Sequence, residues 1–191
     1  MSVRRVVVGH DEAGNSILIE DGPAPAMRTN PLRPGHVSND IWKTGELPYK
    51  LHASHEDPTL GPRQIHPPKG GTIIRIAEIA PESEEIRNMT PEKAREVFRS
   101  MGNEGASSFG RGGRHPMMHR TETIDYAICI EGEMTMLLDK GEVTLKAGDV
   151  LIQLGTNHAW SNRSGKVAKM LYVLIDGEFD EQMQGWFGGA H

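Results

Sequence analysis

A histidine and a carboxylate lie at even spacing near the start of a predicted strand. His119 and Asp125 are six residues apart, and alternate residues of a strand face the same side of a sheet. An unbulged strand therefore places Thr121 on that side as well. Imidazole nitrogens and carboxylate oxygens bind divalent transition metals, and the same groups transfer protons in catalysis. The pair is the first candidate for a reactive site.

Two neighbouring side chains could supply an acid or a base beside this pair. His115 precedes His119 by four residues and keeps the same strand face. Glu122 has the opposite parity, so it needs a bulge to turn inward. We expect His115 or Glu122 to act as the catalytic acid or base. In the alternative, His115 lies on a solvated glycine-rich loop, and Asp125 is only a structural hydrogen-bond acceptor.

Three further residues are predicted to line a substrate pocket. Arg75 interrupts the apolar segment GTIIRIAEIA, and a buried charge is costly unless it is paired. Its guanidinium could grip a carboxylate or an enolate in two-point contact, or it could pair with a protein carboxylate at the rim. Trp160 follows His158 by two residues and is expected to wall the pocket, with a core position as the alternative. Thr121 is the third residue that is predicted to line the pocket.

The segment from residue 121 onwards has the pattern of antiparallel β-structure. Short stretches rich in β-branched residues alternate with glycine-containing turns. Several short strands at nearly regular spacing predict a sandwich or a barrel. The predicted strands are 123–130, 133–138, 142–145, 150–153 and 167–175, and an earlier strand covers 71–80.

The remaining segments divide the chain into three units. Residues 1–20 have a hairpin pattern, and repeated prolines break the stretch 21–70, which is expected to wrap the domain or a partner subunit. A helix capped by Thr90 and stopped by Gly102 is expected inside the next unit. The units are 1–70 (hairpin and proline-rich wrapping arm), 71–176 (barrel with a helical insertion at about 90–102) and 177–191 (C-terminal tail).

Residues 119–176 resemble the core of small single-domain cupin proteins, in particular an uncharacterised subgroup with an N-terminal extension. In the first cupin motif, counting back from Gly132 places Asp125 where a glutamate is usual. Continuing back places Thr121 and His119 at the two histidine positions. The resemblance implies an all-β fold, the cupin-type double-stranded β-helix or jelly-roll barrel, here with an N-terminal arm and one short inserted helix.

The second cupin motif extends the candidate site. Its pattern G-x-x-H-x-x-x-N is matched by Gly155, His158 and Asn162. The resemblance implies that His119, Asp125 and His158 bind one divalent transition metal, which would be Fe, Mn, Zn or Ni. One of the usual histidines is replaced by threonine and the usual glutamate is shortened, so a pocket without metal is the alternative.

The predicted lumen suits a small-molecule enzyme, because it is concave and mostly apolar with a few converging polar groups. The resemblance allows several activities. The depleted ligand set favours a lyase, isomerase or decarboxylase over a dioxygenase. The expected substrate is a small carbonyl, carboxylate or aromatic metabolite. The alternative is a ligand-binding or accessory cupin without metal and without catalytic activity.

The overall composition argues against other function classes. The 191 residues carry a net charge of -5, and the basic residues are scattered, so neither nucleic acid nor a membrane is expected as a partner. No nucleotide cofactor is expected. The apolar run after the first arginines is too short for a secretory signal, and Cys129 is the single cysteine, so we expect a cytoplasmic protein. A homodimer is expected because long arms often cross to a partner subunit.

Overall fold

Two antiparallel sheets face each other to form a barrel, and a separate hairpin precedes them. The computed structural model describes residues 3–53 and 56–187. Their strands are β1 (Arg4–His10), β2 (Ser16–Pro23), β3 (Ala26–Thr29), β4 (His36–Thr44), β5 (Thr72–Ile79), β6 (Thr123–Glu131), β7 (Glu133–Leu138), β8 (Glu142–Lys146), β9 (Val150–Leu154), β10 (His158–Ser161) and β11 (Ala168–Asp176). The larger sheet has the order β3-β4-β5-β11-β6-β9, the smaller has the order β10-β7-β8, and β1 pairs with β2.

Strand β5 shows how the sequence forms the barrel wall. Its β-branched residues favour an extended backbone, and the alternate residues Ile73, Arg75, Ala77 and Ile79 are buried. Side chains from both sheets meet in one apolar core, which confirms the predicted all-β jelly-roll barrel. The core cluster contains Ala77, Ile79, Ala127, Cys129, Met134, Leu145, Ala168 and Met170.

Residues of the arm complete the larger sheet. β4 runs antiparallel to β5, and β3 pairs with β4. The sequence predicts mostly coil here, with a short strand around 39–44, whereas β4 has nine residues. Its partner strand lies about thirty residues further along the chain, so the local sequence does not reveal the pairing. Part of the predicted wrapping arm is therefore a wall of the barrel.

The predicted helical insertion packs against the smaller sheet. A one-turn helix, α1 (Glu84–Arg87), precedes α2 (Pro91–Ser100). The Thr90 side chain accepts a hydrogen bond from a backbone N–H in the first turn of α2 at 3.3 Å, as expected for an N-cap. Phe98 of α2 is buried in a second apolar cluster that includes Leu137 of β7. The insertion thus covers one side of the barrel.

The C-terminal tail docks through α3 (Glu181–Phe187). The Phe187 ring centroid lies 3.6 Å from the guanidinium carbon of Arg120, which is a cation–π contact. Residues 188–191 of the predicted tail lie outside the described residues. Within the described ranges, none of the helices is both long and apolar enough to cross a membrane.

Replacing Gly35 by alanine is expected to destabilise the protein, because this glycine fixes the loop between β3 and β4. Gly35 has φ of 76°, and an added Cβ would lie 2.5 Å from the Cβ of Ala80. We expect the overpacking to cost about 1–3 kcal/mol beyond the backbone penalty. The matched control is Gly14→Ala, where φ is 81° but no atom lies within 4 Å. Urea unfolding of both variants checks this, and equal losses would contradict it.

Candidate active site

Two histidines, the half-buried His119 and the buried His158, lie side by side. His119 and His158 form a local antiparallel bridge, in which the two backbone N–H···O distances are 2.8 Å and 2.9 Å. Their ring centroids are 4.4 Å apart. His119 comes from the segment before β6, and His158 is the first residue of β10. The bridge therefore brings together two residues that are far apart in sequence.

Hydrogen bonds fix the tautomer of both rings. Nδ1 of His119 donates to the carbonyl of Met117 at 3.0 Å, and Nδ1 of His158 donates to the carbonyl of Thr156 at 2.9 Å. A carbonyl only accepts, so each Nδ1 carries the hydrogen and each Nε2 keeps a lone pair. Burial lowers the pKa of His158 to about 4, and burial and the neighbouring ring lower the pKa of His119 well below its usual value. Both rings are neutral acceptors at pH 7.

Asp125 faces the same interior from β6. Burial raises the pKa of its carboxyl to about 6, although the Thr123 hydroxyl and the charge of Arg75 oppose this shift. Its Oδ1 atom has no hydrogen-bond partner among the described residues. A carboxyl with one unpaired oxygen and a pKa of about 6 is suited to accept and release protons.

These three residues line one small cavity of about 90 Å³. The insertion contributes apolar walls through Phe98 and Met101. Trp160 and Tyr172 form another wall, with ring centroids 5.5 Å apart. The Tyr172 hydroxyl is buried and has no partner among the described residues. Burial raises the pKa of Tyr172 above its usual value, so the hydroxyl stays protonated and can donate a hydrogen bond.

Arg75 also lines the cavity, but most of its donors are occupied. Its Nε donates to Asp40 at 2.6 Å, and one Nη donates to the carbonyl of Gln64 at 2.7 Å. The side chain is buried, so it does not lie at an exposed rim. The structure thus favours an ion pair between Arg75 and Asp40 over binding of substrate by Arg75.

His115 lies outside the residues that line the inner cavity. Its Nε2 donates to Glu82 at 2.6 Å, and its Nδ1 accepts from the backbone N–H of Met117 at 3.1 Å. Glu82 also accepts from the Ser161 hydroxyl at 3.0 Å. His115 therefore holds Met117, whose carbonyl orients His119. The predicted acid–base role of His115 stays a prediction.

Glu122 and Thr121 lie in a different place from the predicted pocket. Glu122 is exposed and lines an open outer groove of about 1050 Å³, as its strand parity implies without a bulge. Thr121 lines the same groove, and its hydroxyl is 2.8 Å from that of Thr123. The predicted catalytic role of Glu122 and the predicted pocket role of Thr121 stay predictions, and both residues lie at the outer groove.

The residues present do not complete the metal site that the cupin motifs imply. His119, Asp125 and His158 line one cavity, but across residues 3–53 and 56–187 no three His, Cys, Asp or Glu side chains are grouped closely enough to hold a metal ion. Thr121, at the second histidine position, contributes no imidazole and is among the residues that line the outer groove. The Nε2 lone pairs of His119 and His158 are the part of the site that is retained.

Four polar residues of the cavity were not predicted from the sequence. Arg33 and His36 lie around the start of β4, and Arg63 lies in the coil before β5. All three belong to the arm, where neither periodicity nor spacing marks a residue as inward-facing. Tyr172 lies on β11, opposite Arg75 and Ala127 in register, and strand alternation alone could have suggested it.

Acid should destabilise the protein partly through His158. Its pKa is about 4 in the folded state and about 6.5 when unfolded. As the pH falls through this window, the unfolded state takes up a proton that the folded state does not, so the free energy of unfolding falls by about 3 kcal/mol from this residue. Urea unfolding at pH 7 and pH 4.5 should show a smaller fall for His158→Gln. A fall equal to that of an exposed control, His10→Gln, would contradict this.

The sequence is similar to a known protein family and to several relatives. The family model described as Cupin domain matches residues 107–174. The cupin-domain-containing oxidoreductase virC of Hypocrea virens is 41% identical over 183 residues, covering 90% of this chain and 75% of that protein. The cupin-domain-containing oxidoreductase srdD of Neurospora crassa is 36% identical over 179 residues, covering 90% and 74%. The chain belongs to the cupin family, as the motifs indicated.

A further relative matches over a shorter region. Phomopsin biosynthesis cluster protein C' of Diaporthe leptostromiformis is 43% identical over 84 residues, which is 41% of this chain and 44% of that protein. The match therefore spans less than half the length of that relative.

Proposed function

We propose that this protein is a small-molecule enzyme that moves a proton at a carbon beside a carbonyl group, as lyases, isomerases and decarboxylases do. The observation that carries the proposal is Asp125, a buried carboxyl with a pKa of about 6 and one unpaired oxygen, which lines a small cavity. At pH 7 it is mostly ionised and so acts as a general base. The neutral His119 and His158 accept hydrogen bonds from substrate hydroxyl groups.

The proposed reaction uses two side chains of the cavity, Asp125 and Tyr172. Asp125 takes the proton from the carbon, and the electron pair of the broken C–H bond moves to the carbonyl oxygen to form an enolate. The Tyr172 hydroxyl donates a hydrogen bond to this oxygen. Where a C=C bond is conjugated to the enolate, Asp125 returns the proton to the far carbon of that bond, which is an isomerisation. Where the next carbon carries a hydroxyl, the enolate electrons form a C=C bond as the C–O bond breaks, and Asp125 gives its proton to the departing hydroxyl, which leaves as water.

The size of the cavity favours a small substrate. Its volume is about 90 Å³. An engineered apolar cavity of about 150 Å³ in another protein holds benzene. Among the predicted substrates, a small carbonyl or carboxylate compound therefore fits better than an aromatic one.

Deuterium exchange tests the proposal without knowledge of the natural substrate. Proton abstraction in D₂O replaces the hydrogens beside a carbonyl by deuterium, which NMR detects. A panel containing 2-oxobutyrate and the neutral ketone 2-butanone should include at least one compound that exchanges faster than in the buffer blank. Absence of catalysed exchange across the panel would favour the alternative of a ligand-binding cupin without activity.

A second candidate is metal-dependent redox chemistry. Two observations favour it: the relatives from Hypocrea virens and Neurospora crassa carry the name oxidoreductase, and His119 and His158 both keep a free Nε2. Metal content by mass spectrometry, on protein purified without a tag or chelator, separates the two candidates. Near one equivalent of a transition metal, lost in His158→Ala, would support this candidate against the first.

We include a homodimer in the proposal. The β1–β2 hairpin leaves large apolar side chains exposed, among them Val8 and Leu18, which are 71% and 57% exposed. Contiguous exposed apolar surface is typical of protein interfaces.

A further inference from the structure

The inner cavity has more positive than negative charge on its walls. Three guanidinium groups line it, from Arg33, Arg63 and Arg75, against one lining carboxyl, that of Asp125. Only Arg75 has a carboxylate of the described chain within salt-bridge distance, namely Asp40 at 2.6 Å. The charges of the other two arginines are thus left without a direct counter-ion in the part of the chain that the structure describes.

Those two arginines also keep donors available. Arg63 donates from one Nη to the Ser38 hydroxyl, while the Arg33 side chain makes no hydrogen bond to a described residue. Burial lowers the pKa of both, that of Arg63 to about 9, and the charges of neighbouring arginines contribute at Arg63. Both remain charged at pH 7. The charges of Arg75 and Arg33 disfavour the charge of Arg63 and that of Asp40 favours it, while the charge of Glu82 favours that of Arg33.

We infer that the cavity binds its substrate as a carboxylate, with Arg33 and Arg63 as the residues that recognise the anion. The planar fork of a guanidinium matches a carboxylate in a two-point hydrogen-bonded contact. Arg75 is not assigned this role, because Asp40 and a backbone carbonyl occupy it. The inference rests on the proposed function, since it concerns the same cavity.

The backbone fixes both arginines in advance. The turn before Arg33 is closed by Asn30, whose side chain accepts from the backbone N–H of Leu32 at 2.9 Å. The carbonyl of Arg63 lies against Gly102, where an added Cβ would approach it to 2.6 Å. Such preorganisation lowers the entropic cost of binding an anion.

The substrate class follows from the two sets of residues together. Arg33 and Arg63 require a carboxylate, and Asp125 requires a C–H bond beside a carbonyl. A small oxo acid supplies both within the limited volume of the cavity.

Binding of propionate and propionamide, measured by NMR titration, tests this inference. These probes have the same size, and only propionate is charged. Wild-type protein should bind propionate about tenfold or more tightly than the amide. Arg33→Gln and Arg63→Gln should each remove most of this preference. The matched control is Arg95→Gln, because Arg95 lies on the outer side of α2 and pairs with Glu92.

Equal affinity for the two probes, including no binding of either, would overturn the inference. If a glutamine variant does not fold, Arg33→Lys and Arg63→Lys retain the charge without the fork and should show a partial loss of preference. Preference for propionate without any catalysed deuterium exchange would leave the inference standing and remove the proposed function. Exchange on 2-butanone with no preference for propionate would overturn the inference and leave the proposed function standing.

Discussion

Replacing Asp125 by asparagine is expected to lower the rate of catalysed deuterium exchange about a hundredfold or more. The amide has nearly the shape of the carboxyl but cannot take up the proton. The variant should remain folded, because the native carboxyl is buried with an unpaired oxygen and its raised pKa marks a group whose charge opposes folding at pH 7. NMR exchange rates together with urea unfolding separate the two effects.

The matched control for this experiment is Glu122→Gln. Glu122 also carries a carboxyl and lies three residues away in sequence, but it faces the outer groove. We expect wild-type exchange rates in this variant. Loss of exchange in Glu122→Gln, with full exchange in Asp125→Asn, would show that the catalytic carboxyl is Glu122 in the outer groove.

Replacing Asp40 by asparagine is expected to reduce the free energy of unfolding by about 3–5 kcal/mol, because it leaves buried cations without a counter-ion. The Asp40 side chain is fully buried, 2.6 Å from Arg75 and 3.4 Å from Lys43. Burial raises its pKa, but the neighbouring cations lower it more, so the pKa lies below its usual value. Equilibrium urea unfolding at pH 7 measures the effect.

A surface ion pair provides the comparison. Asp21 accepts from Arg4 at 2.6 Å, but this pair is largely exposed. Asp21→Asn should change stability little, because solvent screens such pairs. Similar stability of Asp40→Asn and Asp21→Asn would show that the buried pair does not hold the arm against β5.

The barrel could be predicted because local sequence patterns are enough to indicate its strands. The strands from 123 to 176 have short-range alternation and glycine turns, and Thr90 and Gly102 mark the ends of α2 correctly. The strand β4 was only partly predicted, since its pairing with β5 depends on contacts distant in sequence.

The candidate site was predictable only where a motif or strand parity applied. The motifs indicated His119 and His158, and parity placed Asp125 inward and Glu122 outward. Parity also placed Thr121 on the side of Thr123, and its buried hydroxyl lies 2.8 Å from the Thr123 hydroxyl. Arg33 and Arg63 lie in proline-rich coil, and their inward orientation follows from tertiary packing that no local pattern encodes.

The central claim is that Asp125 transfers protons inside the cavity. The most direct test is the rate of deuterium exchange on the best compound of the panel, measured with chelator-treated wild-type protein from pH 5 to pH 8. We expect catalysed exchange that rises with pH through a midpoint near the Asp125 pKa of about 6 and then levels off, because only the ionised carboxylate accepts a proton. Exchange that appears only after a transition metal is restored, or no exchange above the buffer blank at any pH, would contradict it.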